Sequence, residues 1–248
     1  MERVAVFAAL QWECRPVLRQ MRQVAREQVG GFTIWRGITP RYEVVLVKTG
    51  MGVMQAEAAA RAIRDRGQFA LFMSTGCAGA LAAELVPGDI VVATAAMGNH
   101  SHGRFETDRD HRDSVRRTAE RAGLRVTSGP MLCSPQALAT AEHKRAAAAQ
   151  HGAVAVEMEG ASIAAEAAER GIPFVSVRAI LDTADTELRH AGRFIEPQTG
   201  AVKPFALAGY LAAHPSAIAD LLAMQRMMRA AQTSLERFFA VWCSTLDR

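Results

Sequence analysis

Short apolar runs separated by longer stretches of helical spacing constrain this chain most. Val4–Ala8, Val44–Lys48, Ala70–Thr75, Ile90–Thr94, Val154–Glu157 and Phe174–Ile180 are almost wholly apolar, the pattern of strands buried on both faces. Between them, Ala56–Arg66, Asp113–Ala122 and Ala161–Arg170 carry apolar residues at helical spacing. This alternation predicts a single-domain α/β fold, a mixed, mostly parallel sheet covered by helices. The mixed character is expected from Gly30-Gly31 and Arg36-Gly37, which read as turns of an early hairpin. With 248 residues, half of them hydrophobic, the chain buries a core without disulfide or metal staples.

The tail differs from the rest. From Phe205 to Trp242 the pattern is helical, broken at His214-Pro215, with an apolar stripe of Leu211, Ile218, Leu221, Leu222, Met224, Met227, Met228, Leu235, Phe238 and Phe239. Residues 1–204 are therefore expected as the main domain and residues 205–248 as a C-terminal helical extension of it. The stripe reads first as core or as a dimer face. Membrane contact is the alternative, with Arg226, Arg229 and Arg237 bordering the stripe. No run of about 18 apolar residues occurs, as a membrane-crossing helix requires, and the first strand lacks the flanks of a signal peptide. Cys14, Cys77, Cys133 and Cys243 form no CxxC pair and read as reduced thiols of a cytoplasmic protein. The formal charge of +4, spread along the chain, sets nucleic-acid binding aside.

In open α/β sheets ligands gather at the carboxyl ends of strands, and here those ends carry chemistry. Glu13 follows the first strand. Thr49-Gly50-Met51-Gly52 is a glycine-rich turn entering a helix, with backbone N–H groups that can hold an anion. Ser74-Thr75-Gly76-Cys77-Ala78-Gly79 is a run of small residues that lets a ligand approach the backbone, or simply packs closely. Val156-Glu157-Met158-Glu159-Gly160 places two carboxylates two apart, on one face if the chain is extended. The last strand ends in a further acid pair, Asp182 and Asp185. Carboxylates accept paired hydrogen bonds from a vicinal diol such as a ribose. A carboxyl of raised pKa can protonate a leaving group while another orients water. The pattern points to cleavage at an anomeric carbon.

Val45–Ala59, Ser74–Ala93 and Ala153–Asp185 resemble successive hallmark segments of the purine and uridine phosphorylase/nucleosidase superfamily, in that superfamily's order, most strongly its methylthioadenosine/S-adenosylhomocysteine nucleosidase branch. The resemblance implies a nucleoside phosphorylase-like fold, no cofactor and no metal, a homo-oligomer with a dimer favoured, and an adenine nucleoside as substrate. It further implies that Asp182 is the acid at the purine and Glu13 the carboxylate that activates water. Glu159, with Glu157 in the same motif, binds the ribose hydroxyls, and Met158 packs on the sugar. Gly52, Cys77, Gly79, Leu132 and Cys133 line the remaining substrate contacts. Cys77 stands where a serine is usual, and Leu132 where an aromatic is usual. Hexameric phosphorylases of the superfamily carry a phosphate-binding arginine where this chain has Ser74-Thr75, so the resemblance favours water as nucleophile. Arg193-Phe194-Ile195-Glu196 and the tail are similar to the hopanoid-associated branch, which implies adenosylhopane as substrate and a peripheral place at the inner membrane surface.

Blander readings stand beside these. His100-Ser101-His102 reads as a polar loop before half of a metal site. Met51, Met54 and Met97 read as core filling before pocket lining, and Arg109–Arg117 as a solvated helix start. A nucleoside-binding module without catalysis would not need both Glu13 and Asp182. A membrane-surface scaffold would leave the acid-rich strand ends unexplained.

Overall fold

The computed structural model describes residues 1–98, 103–187 and 217–244. The elements run β1 (Glu2–Ala8), α1 (Gln11–Leu18), β2 (Arg22–Val29), β3 (Phe32–Ile38), β4 (Tyr42–Lys48), α2 (Val53–Arg64), β5 (Leu71–Ala80), β6 (Ile90–Gly98), β7 (Arg104–Glu106), α3 (Arg109–Arg121), β8 (Val126–Cys133), α4 (Ala141–His151), β9 (Ala155–Glu157), α5 (Gly160–Ala168), β10 (Phe174–Asp182) and α6 (Ala217–Trp242). His100-Ser101-His102, Arg193–Glu196 and the break at His214-Pro215 lie outside the described residues.

Among the described residues all ten strands join one sheet in the order β10-β6-β8-β9-β5-β1-β4-β3-β2, with β7 on β6. An additional β10–β5 pairing closes β10, β6, β8, β9 and β5 into a ring, from which β1, β4, β3 and β2 extend as an open sheet. The sheet is mixed, as expected. Among the described residues five pairings are parallel and five antiparallel. The antiparallel ones lie in the β2-β3-β4 meander, at β7, and where β6 and β9 close the ring.

Gly30-Gly31 makes the β2–β3 turn, but Arg36-Gly37 does not turn. Both continue β3, opposite Val45 and Val44. Gly37 is there because β2 crosses closely: a Cβ would lie 2.9 Å from the Arg22 carbonyl oxygen. The small-residue run Ser74–Gly79 is strand throughout. β5 runs on to Ala80, with Gly76, Cys77, Ala78 and Gly79 paired to Arg178, Ala179, Ile180 and Asp182 of β10.

The core has two main parts, one on each face of the open sheet. One gathers Ala5, Phe7, Val45 and Val47 against α2 and α5. The other gathers Val4, Val6, Val44 and Leu46 with α1, α3 and the second half of α6, consistent with the strand alternation of side chains. Ala231, Leu235, Phe238, Phe239 and Trp242 of α6 are buried there, with Trp242 stacked on Tyr42 at a ring separation of 4.6 Å. Ser234 donates to the Gly88 carbonyl at 2.6 Å. Arg237, expected at a membrane-facing border, instead donates to the Gly123 carbonyl at 3.2 Å. This half of the tail is thus an integral wall of the core. The first half leaves Leu221, Leu222 and Met228 exposed. Met54, in the first turn of α2, is 82% exposed and fills no core. Among the described residues no helix is long and apolar enough to cross a membrane.

Candidate active site

Glu13 lies in the first turn of α1, where its carboxylate ties two elements together. Oε2 accepts from the Leu10 N–H at 2.9 Å, capping the helix, and Oε1 accepts from the Cys77 N–H of β5 at 2.9 Å. The contact depends on Gly76, which has a φ of +138° and where a Cβ would lie 2.6 Å from Glu13 Oε1 and 2.8 Å from Arg178 Nη1. Burial pushes the Glu13 carboxyl above its usual range, against the lowering influence of Arg178 and the N–H donors.

Arg178 occupies the middle of β10 and is 1% exposed. Its Nη2 donates to Ser74 Oγ at 2.7 Å and Glu157 Oε2 at 2.5 Å, and lies 3.4 Å from Glu159 Oε2. An arginine inside an apolar strand must find partners, because an unpaired buried charge is very costly. That oddity was visible in the sequence; its partners were not.

The carboxylates of Glu157 and Glu159 do meet, but not by sharing the face of an extended strand. β9 ends at Glu157, and Glu159 is the N-terminal cap residue of α5, with φ −132° and ψ −32°. The turn swings both acids to Arg178. Glu157 accepts from the Glu159 N–H at 3.0 Å and the Gly160 N–H at 2.8 Å, so its carboxylate is engaged by the helix start as well as by arginine. Glu159 accepts through Oε1 from the Gly52 N–H at 3.0 Å, which gives the Thr49–Gly52 turn a side-chain carboxylate for its anion. Burial pushes the Glu159 carboxyl up to about 7, Arg178 opposing and Glu157 adding to the rise. Met158 between them is half-buried.

Asp182 ends β10 beside Gly79, where a Cβ would lie 3.4 Å from Oδ2. Burial raises its pKa, and the Lys144 ammonium bonded to Oδ2 works against the rise. The anticipated acid pair separates. Asp185 is exposed and lies 3.5 Å from Arg145, because the chain turns at Thr183–Thr186, with the Thr186 N–H bonded to the Thr183 carbonyl at 3.1 Å. Cys77 lies between the two halves of the site. Burial raises its thiol, and both Glu13 and Asp182 add to that rise. Leu132 and Cys133 are buried at the end of β8, opposite Val156 and Glu157. The structure thus brings Glu13, Gly52, Glu157 and Glu159 together around Arg178. It places Asp182, Gly79 and Cys77 further along the same β5–β10 pair. Arg178 and Lys144 join the site without having been singled out from sequence, and Ser74 and Gly76, read there only as part of the small-residue run, join it through Arg178 and Glu13.

Fold and site together describe an α/β protein that gathers buried acids at the ends of its strands. The family model of the Phosphorylase superfamily matches residues 3–202, and the chain belongs to that superfamily. The 5′-methylthioadenosine/S-adenosylhomocysteine nucleosidase of Bacillus cytotoxicus is 26% identical over 207 residues, covering 75% of this chain and 87% of its own. The nucleosidase of the same name from Neisseria meningitidis, solved in complex with methylthio-immucillin-A, matches with a TM-score of 0.77 at 22% identity over 97% of each chain. Futalosine hydrolase of Helicobacter pylori matches with a TM-score of 0.76 at 17% identity, over 97% of this chain and 96% of its own. These structural likenesses carry the fold.

Proposed function

We propose that the protein hydrolyses the N-glycosidic bond of a 5′-substituted adenine nucleoside, releasing adenine. The observation that carries this reading is the clustering of Glu13, Glu157 and Glu159 around the single guanidinium of Arg178. A phosphate dianion beside those carboxylates is repelled, whereas a water molecule can donate to them. In this scheme Glu13 orients and deprotonates the water. Asp182, whose raised pKa keeps it protonated further toward neutral pH, gives its proton to the departing purine. Glu159 accepts from the ribose hydroxyls, with Met158 against the sugar. Leu132, Cys133 and Cys77 flank the base. Arg178 and Asp182 are four residues apart on one strand, about 13 Å of extended chain, a span of the order of a nucleoside's length.

The curated relatives favour methylthioadenosine and S-adenosylhomocysteine as substrates. A second reading, adenosylhopane, has one observation on its side, the exposed Leu221, Leu222 and Met228 at the start of α6, which suit a hydrocarbon at a membrane surface. Adenine release from methylthioadenosine, S-adenosylhomocysteine and adenosylhopane, each with and without phosphate, tests both. Hydrolysis is expected to give the free sugar at a rate independent of phosphate. Formation of a sugar 1-phosphate overturns the choice of water, and preferential cleavage of adenosylhopane establishes the second reading.

A further inference from the structure

Lys144 is a second buried cation at the site, and the scheme above leaves it without a role. It belongs to α4, is 1% exposed, and its ammonium meets three oxygens: Asp182 Oδ2, the Thr183 carbonyl at 2.7 Å and the Thr186 carbonyl at 3.0 Å. Those contacts use all three of its protons. Lysine is almost never fully buried unless paired, and a methionine would serve the packing of α4 without the desolvation cost. The partner segment is shaped for the amine. The Thr183 N–H donates to Thr186 Oγ1 at 3.2 Å and the two hydroxyls lie 2.8 Å apart, a turn that points both carbonyls at Nζ. The same turn follows directly on Asp182, so one ammonium fixes the carboxyl and the chain that carries it. Among the described residues, no protein hydrogen bond engages Asp182 Oδ1.

We propose that Lys144 is the positioning residue for the acid: by gripping Oδ2 it presents Oδ1 to the purine and stabilises the carboxylate left after proton transfer. The inference rests on the reading of Asp182 as the acid. In the step, the Asp182 Oδ1–H bond breaks and a purine N–H bond forms. The glycosidic C–N bond cleaves with its electron pair going to the base. The negative charge that appears on Asp182 faces the Lys144 ammonium, and solvent later restores the proton. Among the described residues two ionisable groups face Asp182, Lys144 from α4 and the Cys77 thiol from β5. The Arg145–Asp185 pair stands beside them at the surface.

The test is the pH profile of adenine release from methylthioadenosine by Lys144→Met, alone and combined with Asp182→Asn. Lys144 works against the raised pKa of Asp182, so its removal moves the alkaline limb of kcat upward, by about half a pH unit or more. The acid that remains is weaker and less well held, so kcat at neutral pH falls roughly tenfold while KM changes by less than about threefold. In the Asp182→Asn background the second substitution changes kcat no further. Lys144→Gln, which keeps a donor for the threonine carbonyls, is read the same way if methionine does not fold. An unmoved limb with kcat within about twofold of wild type overturns the proposal. So does an equal loss from Lys144→Met with and without Asp182. Asp182→Asn with near-wild-type turnover removes the acid itself, a failure separate from that of its positioning residue.

Discussion

Exchanging Arg178 for methionine keeps most of the side-chain volume and removes the guanidinium that faces Glu13, Glu157 and Glu159. The hydrogen bonds lost are those to Ser74 Oγ at 2.7 Å and Glu157 Oε2 at 2.5 Å, with Glu159 Oε2 left uncompensated at 3.4 Å. Breaking a buried ion pair by removing one partner costs about 3–5 kcal/mol. For a chain of this size that lowers the melting temperature by roughly 6–20 °C. The loss is pH-dependent, with a definite sign. Arg178 is the strongest influence opposing the burial-driven rise of both Glu13 and Glu159, so its removal raises both carboxyls further. A folded protein whose carboxyls bind protons more tightly than the unfolded chain loses stability as pH rises through the folded values. Arg178→Met is therefore depressed less at pH 5 than at pH 8, and the gap opens as pH rises past the wild-type folded values, about 7 for Glu159. Thermal melts of wild type and variant across that range, with adenine release measured alongside, read it directly. An equal depression at both ends, or a total cost below about 1 kcal/mol, refutes the counter-ion argument.

Three other outcomes are expected. Gly76→Ala puts a Cβ 2.6 Å from Glu13 Oε1 at a φ of +138°, so stability falls by about 1–3 kcal/mol and adenine release drops up to about a hundredfold as Glu13 is displaced; a folded variant with wild-type kcat contradicts this. Glu159 has its pKa raised from 4.5 to about 7, so it stabilises the fold below the lower value and loses that contribution as pH rises through the upper one. Glu159→Gln flattens the wild-type decline over that window by up to about 3 kcal/mol, and an unchanged slope in denaturant titrations argues against a raised Glu159. Trp242→Ala removes a ring that is 1% exposed and stacked on Tyr42, for about 3–5 kcal/mol; a wild-type melting temperature would show that α6 is not a wall of the core.

The apolar runs that became β1, β4, β5, β6, β9 and β10 were legible because an almost wholly apolar stretch of that length needs burial whatever packs against it. The same logic nominated Glu13, Glu157, Glu159 and Asp182, acids at the ends of buried strands in a fold that binds at such ends. β2 was not legible. Most of its residues are exposed, so it carries no alternation. α4 was hidden likewise, since only Ala141 and Lys144 of its residues are buried. The tail's apolar stripe was plain, yet only packing shows that Leu235, Phe238 and Trp242 share a core with Val4 and Leu46. The passage of β5 through Gly76 and the closure of the ring depend on pairing with β10, about a hundred residues away. Nor could spacing assign partners to Arg178 and Lys144. Hydrophobic periodicity is local and survives in one dimension, whereas a buried charge is decided by whatever the folded chain brings within about 3 Å of it. Here those are Ser74 for Arg178, 104 residues away, and Asp182 for Lys144, 38 residues away.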